Sequence, residues 1–160
     1  MEHGWLSAIE QSWLGVAARE SVWLYPAANV GHILTLTVFA ASVAMMDARL
    51  LGAFGATQPH AFLRAVRPVA IGALTLMLAT GSVMFAAEAP HIAVNAVFQT
   101  KLALIALACV NALVFEVFSA SEVRVLPAGA SMPGGVRVHA VVSLLLWLAV
   151  AASGRLIAYF

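Results

Sequence analysis

Long apolar segments, separated by a few short polar stretches, are the feature of this sequence that most constrains its fold. Hydrophobic residues make up 63% of the 160 positions and charged residues only 9%. A soluble domain covers its surface with about 25% charged residues, whereas a run of about 20 apolar residues spans a bilayer as a helix. The sequence therefore predicts an all-α integral membrane protein whose main partner is the lipid bilayer.

Proline, glycine and charged clusters divide the chain into spans. We predict a four-transmembrane-helix antiparallel bundle in a single membrane domain, 1–160, with helices at about 27–51, 68–88, 93–119 and 137–159. Pro68 suits the first turn of the second helix, because a proline there costs no hydrogen bond. The proline- and glycine-rich stretch 121–136 is predicted to be a loop.

A short amphipathic segment precedes the first span. Between about 5 and 18, apolar residues recur at helical spacing with polar residues between them. This pattern predicts an interfacial helix with Trp5, Trp13 and Trp23 at the depth of the lipid headgroups. A helix that packs on the bundle fits the same pattern. The start of the chain lacks the pattern of a cleaved signal peptide, so we expect the first span to direct insertion.

The distribution of Lys and Arg predicts an orientation in the membrane. Five lie near the loops after the first and third spans (Arg49, Arg64, Arg67, Arg124, Arg137) and three near the other side (Arg19, Lys101, Arg155). This bias favours both termini outside, which is the periplasm if the membrane is a bacterial inner membrane. The net charge of +1 provides no dense basic patch, which excludes nucleic acid as a partner.

Histidines near the span ends are the candidate cofactor ligands, because an ionisable group in a bilayer needs a partner. His32 lies inside the outer end of the first span, and His91 lies at the outer start of the third. Two imidazoles at one depth on different helices can ligate one haem b. We predict His32 as an axial ligand, with His91 as its partner and His139 as the second choice. His139 with His60 would hold a second, inner haem, although a solvated loop histidine is the simpler interpretation of His60. His3 is given no role.

Two helix faces are candidates for the haem contact. Helical spacing places small or flexible residues on the face of His32, namely Ala28, Thr35, Phe39, Val43 and Met46. The second helix has a stripe of small residues, namely Gly72, Thr75, Ala79 and Ser82. Such a stripe is also typical of close helix packing without a cofactor.

Haem propionates need cations or hydrogen-bond donors near the membrane surface. The predicted outer side provides Lys101 and Arg155, with Asn95 as a neutral donor. Snorkelling to lipid headgroups is an equally simple role for the two cations. Asn111 lies near the membrane centre, where an unpaired amide is costly. We predict that it either bridges helices or binds the edge of a cofactor.

These residues lead to three hypotheses. The first is a membrane b-type cytochrome that transfers electrons between a quinol and a redox protein. The sequence leaves open whether such a protein is itself a haem-dependent oxidoreductase and whether it forms a homo-oligomer. The second is a copper-handling protein, in which Met45, Met46, His32 and Cys109 act as soft ligands. The third is an accessory structural subunit of a larger membrane complex. Motifs of soluble enzymes, such as a phosphate-binding glycine loop or HExxH, are absent from the sequence.

Several short segments spread over nearly the whole chain are distinctive. They are 20–26 (ESVWLYP), His32, 98–101 (FQTK) leading to Asn111, Trp147, and 154–159 (GRLIAY). Together they resemble a family of small bacterial four-helix membrane proteins of uncharacterised function. His32 and Lys101 are also similar to features of the copper-resistance D-type membrane proteins and the bacterial membrane protoporphyrinogen oxidase. This second resemblance implies a haem-bearing bundle. Members of the closer family carry a histidine near the end of helix three, where this chain has Glu116.

Overall fold

The structure, a computed structural model, describes residues 4–157 and Tyr159. All regular structure in this part of the chain is helical. In chain order the helices are α1 (Gly4–Glu10), α2 (Trp13–Glu20), α3 (Leu24–Leu51), α4 (Pro59–Ala87), α5 (Ala89–Ala93), α6 (Ala96–Val114), α7 (Ala120–Val125) and α8 (Gly134–Leu156). A π-helical segment, Phe115–Ser119, joins α6 to α7.

Four continuous helices are long and apolar enough to cross a membrane. They are α3, α4, the combined helix Ala96–Val125 and α8. Helices suit this solvent because hydrocarbon provides no hydrogen-bond partners, so each backbone group must be satisfied within its own segment. The prediction of an all-α four-helix membrane bundle is confirmed, and the protein is an integral membrane protein.

The order of the helices across the bundle is α4, α3, α8, α6. Helix α3 packs on α4 and on α8, and α8 packs on α6. Within the described residues, α6 has no backbone contact with α3 or α4. We call the end where α3 begins the near end and the end where α3 stops the far end. At the far end α7 packs on α4, and at the near end the ring of Phe85 in α4 stacks on that of Phe98 in α6, with centroids 5.5 Å apart.

Two clusters of buried apolar side chains hold the helices together. The central cluster contains Phe39, Val43, Ala70, Ala73 and Met77, with Trp147 packed against it. The rings of Phe39 and Trp147 meet edge to face, with centroids 4.5 Å apart, and join α3 to α8. The far-end cluster contains Leu50, Leu63, Phe115, Ala120, Val123, Met132, Val136 and Ala140.

The start of the second span differs from the prediction. Helix α4 begins at Pro59 rather than at 68, because Pro59 occupies the first turn, where its missing N–H costs no hydrogen bond. Pro68 lies inside α4, where a helix in a membrane bundle tolerates the loss of one hydrogen bond. Gly52, at a left-handed φ of 113°, ends α3. His60 is therefore helical, and the prediction that it lies in a loop was wrong.

Other helix boundaries in the structure also differ from the predicted ones. Asn95 caps α6, which begins at Ala96 rather than at 93, because its Oδ1 accepts from the N–H groups of Val97 and Phe98 at 2.9 and 3.1 Å. Part of the predicted loop at 121–136 is helical, since α7 continues the third span to Val125. Helix α8 begins at Gly134 instead of 137 and ends at Leu156 instead of 159.

The N-terminal segment forms two helices instead of one. Ser12 begins α2, because its Oγ accepts from the N–H of Gly15 at 3.3 Å. Trp5 and Trp13 are 63% and 83% exposed, as the interfacial prediction requires. The segment also packs on the bundle, since α1 contacts α5 and α2 contacts α4. Arg19 fixes this contact by donating to the carbonyl of Ala87 at 3.1 Å.

Candidate functional site

The side chain of His32 lies half-buried between α3 and α4. Its Nδ1 lies 3.0 Å from the Oγ1 of Thr80. The hydroxyl of Thr80 donates its proton to a carbonyl of its own helix, that of Leu76 at 2.9 Å. With that proton on the Leu76 carbonyl, Thr80 accepts from His32 in the tautomer of the ring that carries its proton on Nδ1. In this tautomer the Nε2 of the neutral ring keeps its lone pair.

Two glycines allow this close approach of α3 and α4. A Cβ built on Gly81 would lie 3.2 Å from the Cε1 of His32, so an alanine there would require the ring to move by a few tenths of an ångström. A Cβ built on Gly31 would lie 3.3 Å from the methyl group of Thr80. Small residues permit such contacts between membrane helices. The imidazole is therefore held both by packing and by a hydrogen bond.

Lys101 approaches the same region from α6. Its side chain is half-buried, and its Nζ would lie 3.6 Å from a Cβ built on Gly154 of α8. It is also near enough to His32 for a Coulomb interaction between the two side chains. The Nζ of Lys101 thus lies against α8, the helix that packs between α6 and α3. We call His32, Thr80, Gly81, Lys101 and Gly154 the near-end site.

The predicted partner of His32 does not lie beside it. His91 is exposed on α5, beyond the end of α4. Helix α4 continues from Thr80 to Ala87, which is a rise of about 10 Å along the bundle. His91 therefore lies on a different level from His32, and the structure does not bring the two together.

His139 is separated from His32 by most of the membrane. The two histidines lie on opposite sides of the contact between Phe39 and Trp147, His32 toward the near end and His139 toward the far end. At the α-helical rise, their separation along the bundle is about 20 Å. The pair cannot ligate one iron.

His139 instead takes part in a bridge between helices. Its Nδ1 lies 3.0 Å from the Oδ1 of Asn111, and the Nδ2 of Asn111 donates to the carbonyl of His139 at 3.1 Å. This reciprocal pair ties α6 to α8, which is one of the two roles predicted for Asn111. Phe115 meets the ring of His139 edge-on at 6.0 Å. Phe115 also lines a far-end cavity together with His60, but His139 does not line it.

Two of the predicted propionate partners have other roles. The side chain of Asn95 caps α6. Arg155 is exposed, donates to the hydroxyl of Tyr159 at 2.7 Å and lies over its ring at 4.9 Å. Lys101 is thus the predicted propionate partner that the structure places near His32.

The two predicted haem faces differ in position. The face of His32 points into the bundle, with Ala28, Phe39 and Val43 buried. The small-residue stripe of α4 points outward, because all four of its members are exposed: Gly72, Thr75, Ala79 and Ser82. The stripe therefore does not face His32. Thr80 and Gly81 were missed because their contact with His32 depends on how α3 and α4 are aligned, which spacing within one helix does not reveal.

The candidate copper ligands are dispersed. Met45 and Cys109 are exposed toward the outside of the bundle. No group of three or more His, Cys, Asp or Glu side chains that could hold a metal ion occurs in residues 4–157 and Tyr159. His3 lies outside the described residues.

Two buried charged residues near the far end of α3 were not singled out by the sequence. Asp47 and Arg49 are 6% and 1% exposed. Arg49 Nη2 donates to the carbonyl of Thr57 at 2.6 Å, whereas the Oδ2 of Asp47 has no hydrogen-bond partner among the described residues. Arg49 thus fastens the end of α3 to the following loop. In the sequence, a charged residue near the end of a span looks the same whether it is buried or snorkels to the headgroups. No sequence signal therefore distinguished these two residues.

Comparison with known proteins identifies a family. The model of a family of unknown function (DUF6644) matches residues 5–160, and the chain belongs to this family. No curated protein and no solved structure matches the chain. The family agrees with the predicted resemblance to uncharacterised proteins. The resemblance to copper-resistance D-type proteins and to protoporphyrinogen oxidase finds no support in these comparisons.

Proposed function

We propose that the protein is a membrane b-type cytochrome that binds one haem in the near half of the bundle, with His32 as the axial ligand. The observation that supports this most is the hydrogen bond of 3.0 Å between the Nδ1 of His32 and the Oγ1 of Thr80. A histidine that ligates a metal almost always donates its other ring N–H to a fixed acceptor. Here the acceptor lies on a neighbouring helix, and the Nε2 is left as the ligating atom.

Two other residues of the near-end site support the proposal. Gly81 lets α4 approach the imidazole ring closely, because a Cβ at this position would lie only 3.2 Å from its Cε1. Lys101 provides a cation about five residues into α6, which is close to the membrane surface, where a propionate would lie. Its Nζ lies beside Gly154 of α8, where a Cβ would be 3.6 Å away. When bound, haem supplies one-electron redox chemistry, and the chain supplies its position and surroundings.

The depth of His32 in the membrane indicates which redox partners could reach a haem bound there. His32 lies about 12 Å of helix rise from the near end of α3, within one leaflet. A haem at this depth is within reach of a quinol in the bilayer and of a redox protein at the near-end surface. We further propose a bacterial inner membrane with both termini in the periplasm, because the excess of Arg lies at the far end. The near-end site then belongs to the periplasmic leaflet.

Titration of haem into purified protein tests the proposal. Protein prepared without haem in mild detergent is titrated with hemin while the Soret band is recorded. We expect saturation at one haem per chain for the natural protein and for His91→Ala. His32→Ala should show only the weak, unsaturated absorbance of haem in detergent micelles. Equal binding by His32→Ala and the natural protein would contradict the assignment.

A further inference from the structure

A cavity of about 510 Å³ lies at the far end, between α4 and the π-helical segment with α7. The residues that line it change from polar to apolar with depth in the membrane. On α4, His60, Arg64 and Arg67 lie in the first turns, and Ile71 and Gly72 follow deeper in the membrane. The cavity is therefore polar toward the membrane surface and apolar toward the membrane centre, as an amphiphilic ligand requires.

The π-helical segment shapes this cavity. The backbone of α6 does not approach that of α4, but the backbone of α7, which follows the segment Phe115–Ser119, does. The segment itself contributes Phe115 to the apolar wall and Glu116 to the polar rim. π-Helical turns inside α-helices occur frequently at functional sites, because the extra residue redirects the side chains that follow.

Guanidinium groups from two helices meet at the rim. Glu116 receives Arg67 Nη2 at 3.0 Å on one carboxylate oxygen and Arg124 Nη2 at 3.3 Å on the other. One carboxylate thus holds two arginines on the same cavity, one from α4 and one from α7. Arg64 also lines the cavity and makes no ion pair among the described residues. With three arginines and one glutamate, the lining has an excess of two positive charges.

We propose that this cavity binds an anionic phospholipid, with the phosphate on Arg64, Arg67 and Arg124 and an acyl chain along the apolar wall. Arginine forks match the geometry of phosphate oxygens. Basic pockets between transmembrane helices bind anionic lipid headgroups in this way. A free phosphate ion would use only the rim. The apolar wall of Leu63, Ile71 and Phe115 favours a lipid instead.

Native mass spectrometry of the full chain in detergent tests the proposal, with dioleoylphosphatidylglycerol and dioleoylphosphatidylcholine as probes. Arg64→Gln removes a cavity charge that no described ion pair uses, so the fold should persist. Arg137→Gln is the matched control, because Arg137 is exposed at the same end of the bundle and does not line the cavity.

We expect phosphatidylglycerol to bind about tenfold more tightly than phosphatidylcholine, since a hydrogen bond to a charged group is involved. Arg64→Gln should weaken phosphatidylglycerol binding by about tenfold and Arg137→Gln by less than about twofold. Equal binding of the two lipids, or an equal effect of the two variants, would overturn the proposal. Displacement of phosphatidylglycerol by millimolar inorganic phosphate would also overturn it and would assign the site to a small anion. His32→Ala should leave lipid binding unchanged, so this test is independent of the haem.

Discussion

At the scale of single residues, the near-end site depends on how one imidazole is held. Thr80 accepts from the Nδ1 of His32 because its own proton is used within α4. The sequence predicted that His32 is special, since an unpartnered imidazole inside a membrane is costly. It could not predict Thr80, which lies on another helix and looks like any other threonine of a membrane span.

Removing the hydroxyl of Thr80 should weaken haem binding. Thr80→Val keeps the volume but leaves the Nδ1 of His32 without its acceptor. Loss of such a hydrogen bond behind a metal ligand typically lowers affinity by about 10–100-fold. We expect a loss of at least about tenfold in hemin titrations. Thr75→Val is the matched control, because Thr75 is exposed and bonds only to Ile71 of its own helix. Similar affinity in Thr80→Val and Thr75→Val would exclude a role for the hydrogen bond.

Adding one methyl group to Gly81 should displace the ring of His32. The new Cβ would lie 3.2 Å from the Cε1 of His32, so helix or ring must shift, at a cost of about 1–3 kcal/mol. Gly72→Ala is the control, since no atom lies within 4 Å of its Cβ position. Replacing a helical glycine without such a clash adds about 0.5–1 kcal/mol of stability. Unfolding in mixed micelles, followed by circular dichroism, should therefore show opposite signs for the two variants, and stabilisation of both would contradict the packing described.

At the scale of helices, the reciprocal pair of Asn111 and His139 ties α6 to α8, the spanning helix on which α6 packs. The existence of four spans could be predicted from apolar length, because the bilayer imposes it. The residues at which the spans begin and end could not be predicted in this way. Pro68 was assigned to the start of a helix on the rule for water-soluble proteins, whereas a membrane bundle tolerates a proline within a span.

Breaking this bridge should loosen α6 from α8. Asn111→Leu leaves the ring of His139 without a partner, and polar contacts between membrane helices contribute about 0.6–1.7 kcal/mol. We expect a loss of that size in the free energy of unfolding in mixed micelles. Cys109→Ala on the same helix is the control, because Cys109 is exposed. Haem binding at His32 should persist in Asn111→Leu. A stability equal to that of Cys109→Ala would show that the bridge contributes nothing.

At the scale of the whole molecule, α7 packs on α4 at the far end, and the rings of Phe85 and Phe98 join α4 to α6 at the near end. The near-end site and the far-end cavity lie at opposite ends of the bundle, and the helix order that places them there is not encoded in the hydropathy of any single span. Charge counting predicts that the far end faces the cytoplasm.

Cysteine labelling checks this orientation. In a Cys109→Ala background, Gln11→Cys adds a thiol to the N-terminal segment that packs at the near end, and Ala128→Cys adds one to the far-end loop. Both positions are exposed. We expect a membrane-impermeant maleimide to label Gln11→Cys in intact cells with a permeabilised outer membrane. Ala128→Cys should be labelled only after the inner membrane is opened. The reverse pattern would place the near-end site in the cytoplasmic leaflet.

The most direct measurement is the haem content of the protein purified in mild detergent after expression with ample haem precursor. A reduced-minus-oxidised spectrum and a pyridine haemochrome assay give the type of haem and its ratio to the chain. We expect one haem b per chain in the natural protein and in His139→Ala, and none in His32→Ala. A colourless natural protein, or a His32→Ala variant that keeps its haem, would contradict the assignment of His32 as the axial ligand.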